Sequence, residues 1–249
     1  MKVSIITVCY NSAATIEKTL LSVKSQTYND IEYIVVDGGS TDSTLKLIEN
    51  YNSIITKCVS ESDKGLYDAM NKGIAIATGE IIGILNSDDA FLNNSVLENV
   101  VNFHQSNAID ASVGNIIQHN LEEKIVREYS ASKWSPEKLK IGFMPAHPAI
   151  FFKRALFEKY GAYRLDFKIG ADYELITRFF LKENISWKYS GITTTSMLIG
   201  GVSSSGYESY KSISKEIKKA LELNRIQFSY NKIVLRGLWK LKGFLKKNK

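Results

Sequence analysis

Few of the residues that commonly build a metal or redox centre occur in this chain. Only two cysteines, Cys9 and Cys58, stand among 249 residues, each in or beside an apolar run. Their spacing fits no zinc site, and free thiols in such runs behave as small hydrophobes. A reducing compartment requires no disulfide, so an oxidising one is not demanded. Three histidines are too few for a histidine-rich metal site. No stretch of about 18 apolar residues occurs, so no segment reads as a membrane-spanning helix. The opening run Met-Lys-Val-Ser-Ile-Ile-Thr-Val-Cys breaks at Tyr10-Asn11 without a small-residue cleavage site. It therefore reads as a buried strand and not as a signal peptide. The chain also lacks internal repeats and low-complexity tracts. The GxGxxG dinucleotide fingerprint is missing as well, and Tyr10-Asn11-Ser12-Ala13 stands where a nucleotidyltransferase would carry a glycine-rich basic phosphate loop.

What is present is an ordinary soluble composition, 44% hydrophobic and 23% charged, with a net charge of +6. The length suits one large α/β domain, or one with a small appendage. The charge is uneven. Residues 232–249 hold seven Lys or Arg and no acid, leaving 25 basic against 26 acidic side chains in the other 231 residues. The basic character belongs to the tail. No aromatic-basic groove pattern marks the remainder, so a nucleic-acid partner is not expected.

The first half alternates strand and helix patterns: strands over Val3–Val8, Ile31–Val36, Ile54–Ser60 and Glu80–Leu85, with helices over Ala14–Gln26, Ser43–Tyr51 and Gly65–Ala77 between them. This order predicts a mostly parallel sheet with helices on both faces. Ligands of such sheets bind beyond the carboxyl ends of the strands. Four polar segments fall at those ends: Tyr10-Asn11, Asp37-Gly38-Gly39-Ser40, Glu61–Gly65 and Ser87-Asp88-Asp89. The second half is less regular. Ala111–Gln118 and Lys124–Tyr129 read as a hairpin or meander, Asp172–Lys182 as a helix, Trp187–Thr195 as a strand and Ser209–Asn224 as an amphipathic helix.

Several of these segments carry groups capable of chemistry. Adjacent acids Asp88 and Asp89 at a strand end suit a hard divalent cation, which binds carboxylate and diphosphate oxygens alike; a helix cap and turn is the competing reading. In Val36–Asp42 adjacent glycines permit a tight strand-to-helix turn and close ligand approach, or merely a turn. Lys64 can meet a phosphate as a point charge. Asp68 and Asn71 share a helical face. Asp172 and Glu174 open a helix, where a carboxylate either deprotonates an incoming hydroxyl or caps the helix. His147, between Pro145 and Pro148, reads as structural or as an acceptor-side contact. The loop Gly200–Ser203 reads as a flap over a bound ligand or as a surface loop.

Together these motifs resemble the family-2 glycosyltransferases of the GT-A fold. The resemblance spans about residues 1–206 and rests on VSIITVCYNS (3–12), VVDGGSTDST (35–44), SDKGLYDAMNKG (62–73), GEIIGILNSDD (79–89), HPAIFFKR (147–154) and GADYELITR (170–178). Bacterial enzymes that build surface polysaccharides are the most similar members. The resemblance implies a GT-A domain over 1–206, with a nucleotide-sugar half at 1–100 and an acceptor half at 101–206, followed by a helical basic extension over 207–249. It implies a nucleotide-sugar donor, UDP-linked in the first instance, and Mn2+ or Mg2+ as cofactor. Thr7, Tyr10 and Asn11 are implied near the nucleoside, and Asp37 at base or ribose. Asp63 falls in the loop that closes the nucleotide pocket, and Lys64 and Asn71 are candidate nucleotide-sugar contacts. By the same resemblance Asp88 and Asp89 match the metal and donor motif, Asp88 toward the donor and Asp89 as the direct metal ligand, and Asp172 matches the catalytic base. His147 and Glu174 are candidates on the acceptor side. This chain departs from the family at Gly38, where many members carry a second acid, and at Asn86, where the donor motif usually begins with Asp.

The reading is thus an inverting, metal-dependent transfer of a sugar to a hydroxyl of a glycan or lipid-linked acceptor. A non-catalytic nucleotide-sugar-binding module is the alternative; binding alone needs no base at Asp172. In the tail, Leu235, Leu238, Trp239, Leu241 and Leu245 interleave with Arg236, Lys240, Lys242 and Lys246. A helix there would suit a headgroup boundary, with peripheral contact through 232–249 on the inner, cytoplasmic face of the plasma membrane; packing on the domain is the competing reading.

Overall fold

Apolar runs without alternation suit strands covered on both faces, and this rule organises the first half of the chain. The computed structural model describes residues 1–120, 122–199 and 206–236, with side chains from 209 onward in the last stretch. β1 (Val3–Cys9), β2 (Ile31–Asp37), β3 (Lys57–Ser60) and β4 (Ile81–Ile84) lie in the order β3-β2-β1-β4, every neighbouring pair parallel. The connections run through α1 (Ile16–Lys24), α2 (Thr44–Glu49) and α3 (Leu66–Ile76). Alternation along the strands sorts the two faces. Val3, Ile5 and Cys9 of β1 join Tyr33 and Val35 of β2 and Ile16, Leu20 and Val23 of α1 in one core. Ile6 and Val36 point the other way, to α3, which comes so close that a Cβ at Gly73 would lie 2.4 Å from Ile6 Cγ2.

The remaining strands extend the sheet with mixed direction. They are β5 (Asp89–Phe91), β6 (Ala111–His119), β7 (Ile125–Tyr129), β8 (Ile150–Lys153) and β9 (Trp187–Leu198). The full order is β3-β2-β1-β4-β8-β6-β9-β5, with β7 paired to β6. β8 runs antiparallel to both β4 and β6, β9 runs parallel to β6, and β5 antiparallel to β9. α4 (Val96–Ser106) and α5 (Ala155–Tyr160) are helices that the sequence reading did not mark, and so is the strand β5.

One buried charge locks the parallel strands together. Glu32 of β2 accepts hydrogen bonds from Ser4 Oγ (2.6 Å), Lys57 Nζ (2.9 Å), Thr78 N (2.6 Å) and Thr78 Oγ1 (2.9 Å). Burial by itself would raise the pKa of this carboxyl, but the Ser4, Thr78 and Lys57 donors outweigh it and hold the group at about 2.

The chain divides into two units. The first comprises Met1–Lys133, Pro145–Leu165 and Ile185–Ile199, and holds every strand among the described residues; the second comprises Trp134–Met144, Asp166–Asn184 and the described part of Gly200–Lys249. The helix set apart from residue 207 onward in the sequence reading therefore groups with Asp166–Asn184. In the second unit α6 (Ala171–Thr177) runs into a π-helical turn at Arg178–Lys182. α7 (Gly206–Leu223) packs against α6 and is followed by a further helical segment over 230–236.

The start of the tail corrects the expected amphipathic face. Arg236, placed on the polar side by the sequence pattern, is buried. Its guanidinium lies over the Tyr210 ring and donates to Ser214 Oγ and to the Ile233 carbonyl, both at 3.0 Å. Ile233 is buried, while Val234 and Leu235 are exposed. An arginine can turn inward when its planar donors are met by acceptors and an aromatic face. Residues 237–249 and 200–205, the latter holding the Gly200–Ser203 segment expected as a flap, lie outside the described residues. No described helix is long and apolar enough to cross a membrane.

Candidate active site

In a parallel sheet, neighbouring strands end together and their last residues share one rim. Short polar side chains at these ends stitch the rim. The Asn11 N–H donates to Ser40 Oγ (2.8 Å), and Asn11 Oδ1 accepts from the Thr41 N–H (2.9 Å), joining the ends of β1 and β2. Asn11 adopts φ 48° to do so, a conformation asparagine tolerates better than most residues. Ser12 Oγ lies 2.8 Å from Ser87 Oγ, joining β1 to the segment after β4. Ser60 Oγ donates to Asp37 Oδ2 (2.8 Å), joining β3 to β2. The four strand ends grouped in the sequence reading thus form one continuous edge of the first unit.

The structure separates the residues expected on this edge. Tyr10 is exposed there. Lys64 is exposed, its N–H donating to Asp68 Oδ2 (3.0 Å). Asp63 is half-buried, and its Oδ1 accepts from the Gly65 N–H (2.7 Å). Its other oxygen rests against Gly38: a Cβ at that position would lie 2.3 Å from Asp63 Oδ2. The space left by the missing second acid at position 38 is therefore filled by a carboxylate from the segment after β3.

Three expected ligand contacts in this unit turn inward instead. Thr7 is fully buried, with Oγ1 3.1 Å from the Tyr33 hydroxyl, because it alternates to the same core face as Ile5 and Cys9. Asp37 is also fully buried. Its carboxylate accepts from Ser40 Oγ (2.5 Å), Ser40 N (3.0 Å), Ser60 Oγ and Gly39 N (3.1 Å). Burial raises its pKa, but these donors prevail and keep it below the ordinary aspartate value. Asp37 shapes the turn that presents Gly38 and Gly39. Asn71 bonds the backbone of Tyr163 in both directions, Nδ2 to the carbonyl (2.8 Å) and Oδ1 from the N–H (2.9 Å), so both ends of its amide serve the fold.

The acidic pair is built asymmetrically. Asp88 is exposed, while Asp89 is 2% exposed as the first residue of β5, paired with Met197 of β9. The neighbouring backbone is held by Thr19 Oγ1, which donates to the Asp89 carbonyl (2.7 Å). The Asp89 carboxylate receives Asn86 Nδ2 at 3.2 Å. Burial first, and then the Asp88 charge, raise its pKa well above the ordinary value, with the Asn86 bond only partly opposing them. Beside it, the buried Asn86 Oδ1 has no hydrogen-bond partner. A carboxylate so poor in positive partners, next to an unpartnered carbonyl oxygen, is a donor set for a hard cation. Among the described residues no group of three His, Cys, Asp or Glu side chains could hold a metal alone. An ion held by Asp89 and its neighbours would need further ligands from outside these side chains, as Mg2+ takes from phosphates.

The second unit carries Asp172 near the start of α6. Asp172 is half-exposed, whereas the other six residues of Ala171–Thr177 are buried. Its Oδ1 accepts from the Tyr173 N–H (2.7 Å). Glu174, expected as an acceptor-side contact, is buried and chelated by Arg178 Nε (3.1 Å) and Nη2 (3.0 Å), with Asn224 Nδ2 at 3.1 Å. A buried carboxylate held by a guanidinium fork serves packing, which removes Glu174 from the candidate ligand set. His147 opens a short 3-10 turn, His147–Ala149, leading into β8. Ser12, Ser40, Ser60 and Ser87 carry no individual expectation from the sequence. The only sequence signal for them is their position next to a predicted strand end.

The strand ends of the parallel sheet thus carry a glycine-opened turn and an oxygen-rich acidic pair. A profile of glycosyl transferase family 2 matches residues 4–161, and the chain belongs to that family. A PGL/p-HBAD biosynthesis glycosyltransferase of Mycobacterium bovis is 29% identical over 197 residues, 78% of this chain and 75% of that protein. A glycosyltransferase of Mycobacterium tuberculosis with no assigned reaction is 34% identical over 180 residues, 71% of this chain and 68% of that one. Among solved structures, S. aureus TarS 1-349 in complex with UDP-GlcNAc superimposes with a TM-score of 0.72 at 21% identity, covering 96% of this chain and 72% of that one. The chain spans 39% of the longer S. aureus TarS chain. The mannosyltransferase PcManGT of Pyrobaculum calidifontis, in complex with GDP-Man and Mn2+, gives 0.66 at 20% identity, covering 94% and 68%. The fold is that of the GT-A glycosyltransferases.

Proposed function

We propose that this protein is an inverting glycosyltransferase that takes a sugar from a nucleotide diphosphate donor, UDP-linked in the first instance, and places it on a hydroxyl of a glycan or lipid-linked acceptor in surface polysaccharide synthesis. The observation that carries the proposal is the cation-poor pair Asp88-Asp89 with the unpartnered Asn86 carbonyl, at a strand end of a family-2 fold. The UDP-GlcNAc, UDP and GDP-Man complexes of the structural neighbours support a nucleotide-sugar donor, and the Mn2+ in one of them supports a divalent ion.

In this reading Tyr10 offers an aromatic face to the base, Asp63 supplies the acid missing at position 38, and Lys64 meets a phosphate as a point charge. Asp89 holds Mn2+ or Mg2+, with Asp88 and the Asn86 carbonyl beside it. The bound ion supplies Lewis-acid stabilisation of the charge that develops on the departing diphosphate. Asp172 takes the proton of the acceptor hydroxyl. The freed oxygen bonds to the anomeric carbon as the bond from that carbon to the diphosphate oxygen breaks, so an α-linked donor gives a β-linked product. His147 stands on the acceptor side. The exposed Val234 and Leu235, with the basic residues that follow, dock the enzyme on the cytoplasmic face of an anionic membrane.

The test is Asp172→Asn. Loss of a general base lowers turnover by about 10²–10⁴-fold, read as release of nucleoside diphosphate with acceptor present, while donor binding persists. Turnover near that of the unchanged protein would remove Asp172 from the reaction.

A further inference from the structure

The three amide groups that precede α6 converge on one side chain. Lys168 donates its N–H to Glu216 Oε1 of α7 (2.8 Å), and Ile169 and Gly170 donate theirs to Oε2 (2.9 and 2.6 Å). Successive amides of this kind form a concave anion nest, and here the anion is part of the protein. Bonds from N–H groups to a charged carboxylate at such lengths are among the stronger ones. Three residues further along α7, on the same face, Lys219 grips the other end of the segment. Its ammonium meets Asp166 Oδ2 at 2.8 Å and the Asp166 carbonyl at 2.6 Å, and lies over the Phe167 ring. Residues 166–170 are held from both ends by one helix, and they lead directly into Asp172. Beyond Asp172, Asn224 anchors Glu174 from just past the end of α7.

We infer that Glu216 is a positioning residue for sugar transfer. Its carboxylate fixes the 168–170 turn and through it the place of the Asp172 carboxylate. This rests on the reading of Asp172 as the proton acceptor. Without the Glu216 charge, three converging amides lose their common acceptor and the turn relaxes. A shift of about 1 Å in a catalytic group can cost on the order of 10²-fold in rate. Glu216 need not touch donor or acceptor for this. A role confined to stability would lower the melting temperature and leave turnover per folded enzyme unchanged.

The full-length chain is tested as Glu216→Ala, Glu216→Gln, Asp172→Asn and the Glu216→Ala/Asp172→Asn double variant. Turnover, donor KM and melting temperature are measured with Mn2+ present. The expected result for Glu216→Ala is a fall in kcat of roughly 10–100-fold with donor KM little changed. Glu216→Gln, which keeps one carbonyl acceptor, should fall between. If the alanine variant does not fold, the glutamine variant carries the test with a several-fold loss of kcat at unchanged donor KM. In the Asp172→Asn background the Glu216 change should add nothing, since both act through one group. Wild-type kcat in folded Glu216 variants, with Asp172→Asn inactive, overturns the inference, and so does a full multiplicative loss in the double variant. Near-normal turnover in Asp172→Asn overturns instead the base reading beneath it. Hydrogen exchange at the 168–170 amides then reports separately whether Glu216 holds the turn.

Discussion

A methyl group at position 38 should disturb donor binding while leaving the fold nearly untouched. Gly38 is not among the glycines with positive φ, so alanine brings no backbone strain there. Its Cβ would lie 2.3 Å from Asp63 Oδ2, however, and an ordinary carbon–oxygen contact needs about 3.3 Å. The carboxylate must retreat by about 1 Å. That movement disrupts the 2.7 Å bond from the Gly65 N–H to Asp63 Oδ1, worth about 0.5–1.5 kcal/mol net. Because the clash is with the far end of a half-exposed side chain, the overpacking cost should stay below about 1 kcal/mol, under the range for a rigid core. If Asp63 contacts the donor, a lost bond to a charged group weakens binding by up to ~3 kcal/mol. Partial exposure puts the expectation at the low end, about tenfold in Kd. The assay is calorimetric titration of UDP with Mn2+ into Gly38→Ala, beside urea unfolding of the same protein. Unchanged donor affinity in both Gly38→Ala and Asp63→Asn would refute the assignment of Asp63 to the nucleotide. A loss of stability large enough to account for weaker binding would refute the separation of the two effects.

Two further outcomes follow from buried groups. Glu32→Gln removes a charge that four donors surround and should lower stability by about 2–3 kcal/mol, roughly 4–12 °C in Tm for a chain of this size, as read by calorimetry. Folding depresses the Glu32 pKa from 4.5 to about 2. Its contribution is therefore complete above the unfolded value and is lost as pH falls from there toward 2, so the Gln variant and the unchanged protein should converge in stability over that window; a gap that persists to the lowest pH would contradict the assignment. A chain ending at Arg236 keeps the buried Ile233 and Arg236 anchors and removes five of the seven tail cations. It should lose co-sedimentation with phosphatidylserine vesicles, and retention at the full-length level would exclude residues 237–249 as the membrane contact.

Most of what positions the first unit could be read from residues in order. Apolar runs, glycine turns and polar strand ends fix four parallel strands, and the motif spacing points to the family. The direction in which side chains face at those ends could not be read. Thr7 and Asp37 sit in the quoted motifs, yet strand alternation buries one against Tyr33, and the serines around β2 enclose the other. Asn71 is diverted by a backbone partner 92 positions away, and Glu174 by Arg178 and Asn224. Partners so far apart in sequence leave no local pattern. β5 leaves no sequence signal because three residues that begin within an acidic pair carry no periodicity; they become a strand only because β9 offers an edge. Glu216 was invisible for the same reason, since the amides it binds lie 46 to 48 residues earlier.

In the proposed reaction a cation joins the donor diphosphate to the acidic pair. Calorimetric titration of UDP into the full chain, with and without Mn2+, compared with Asp89→Ala, addresses this most directly. Tight binding that requires Mn2+, and loss of the Mn2+-dependent increment in Asp89→Ala at unchanged folding, is the predicted result. Equal affinity of both proteins for UDP in the presence of Mn2+ would contradict it.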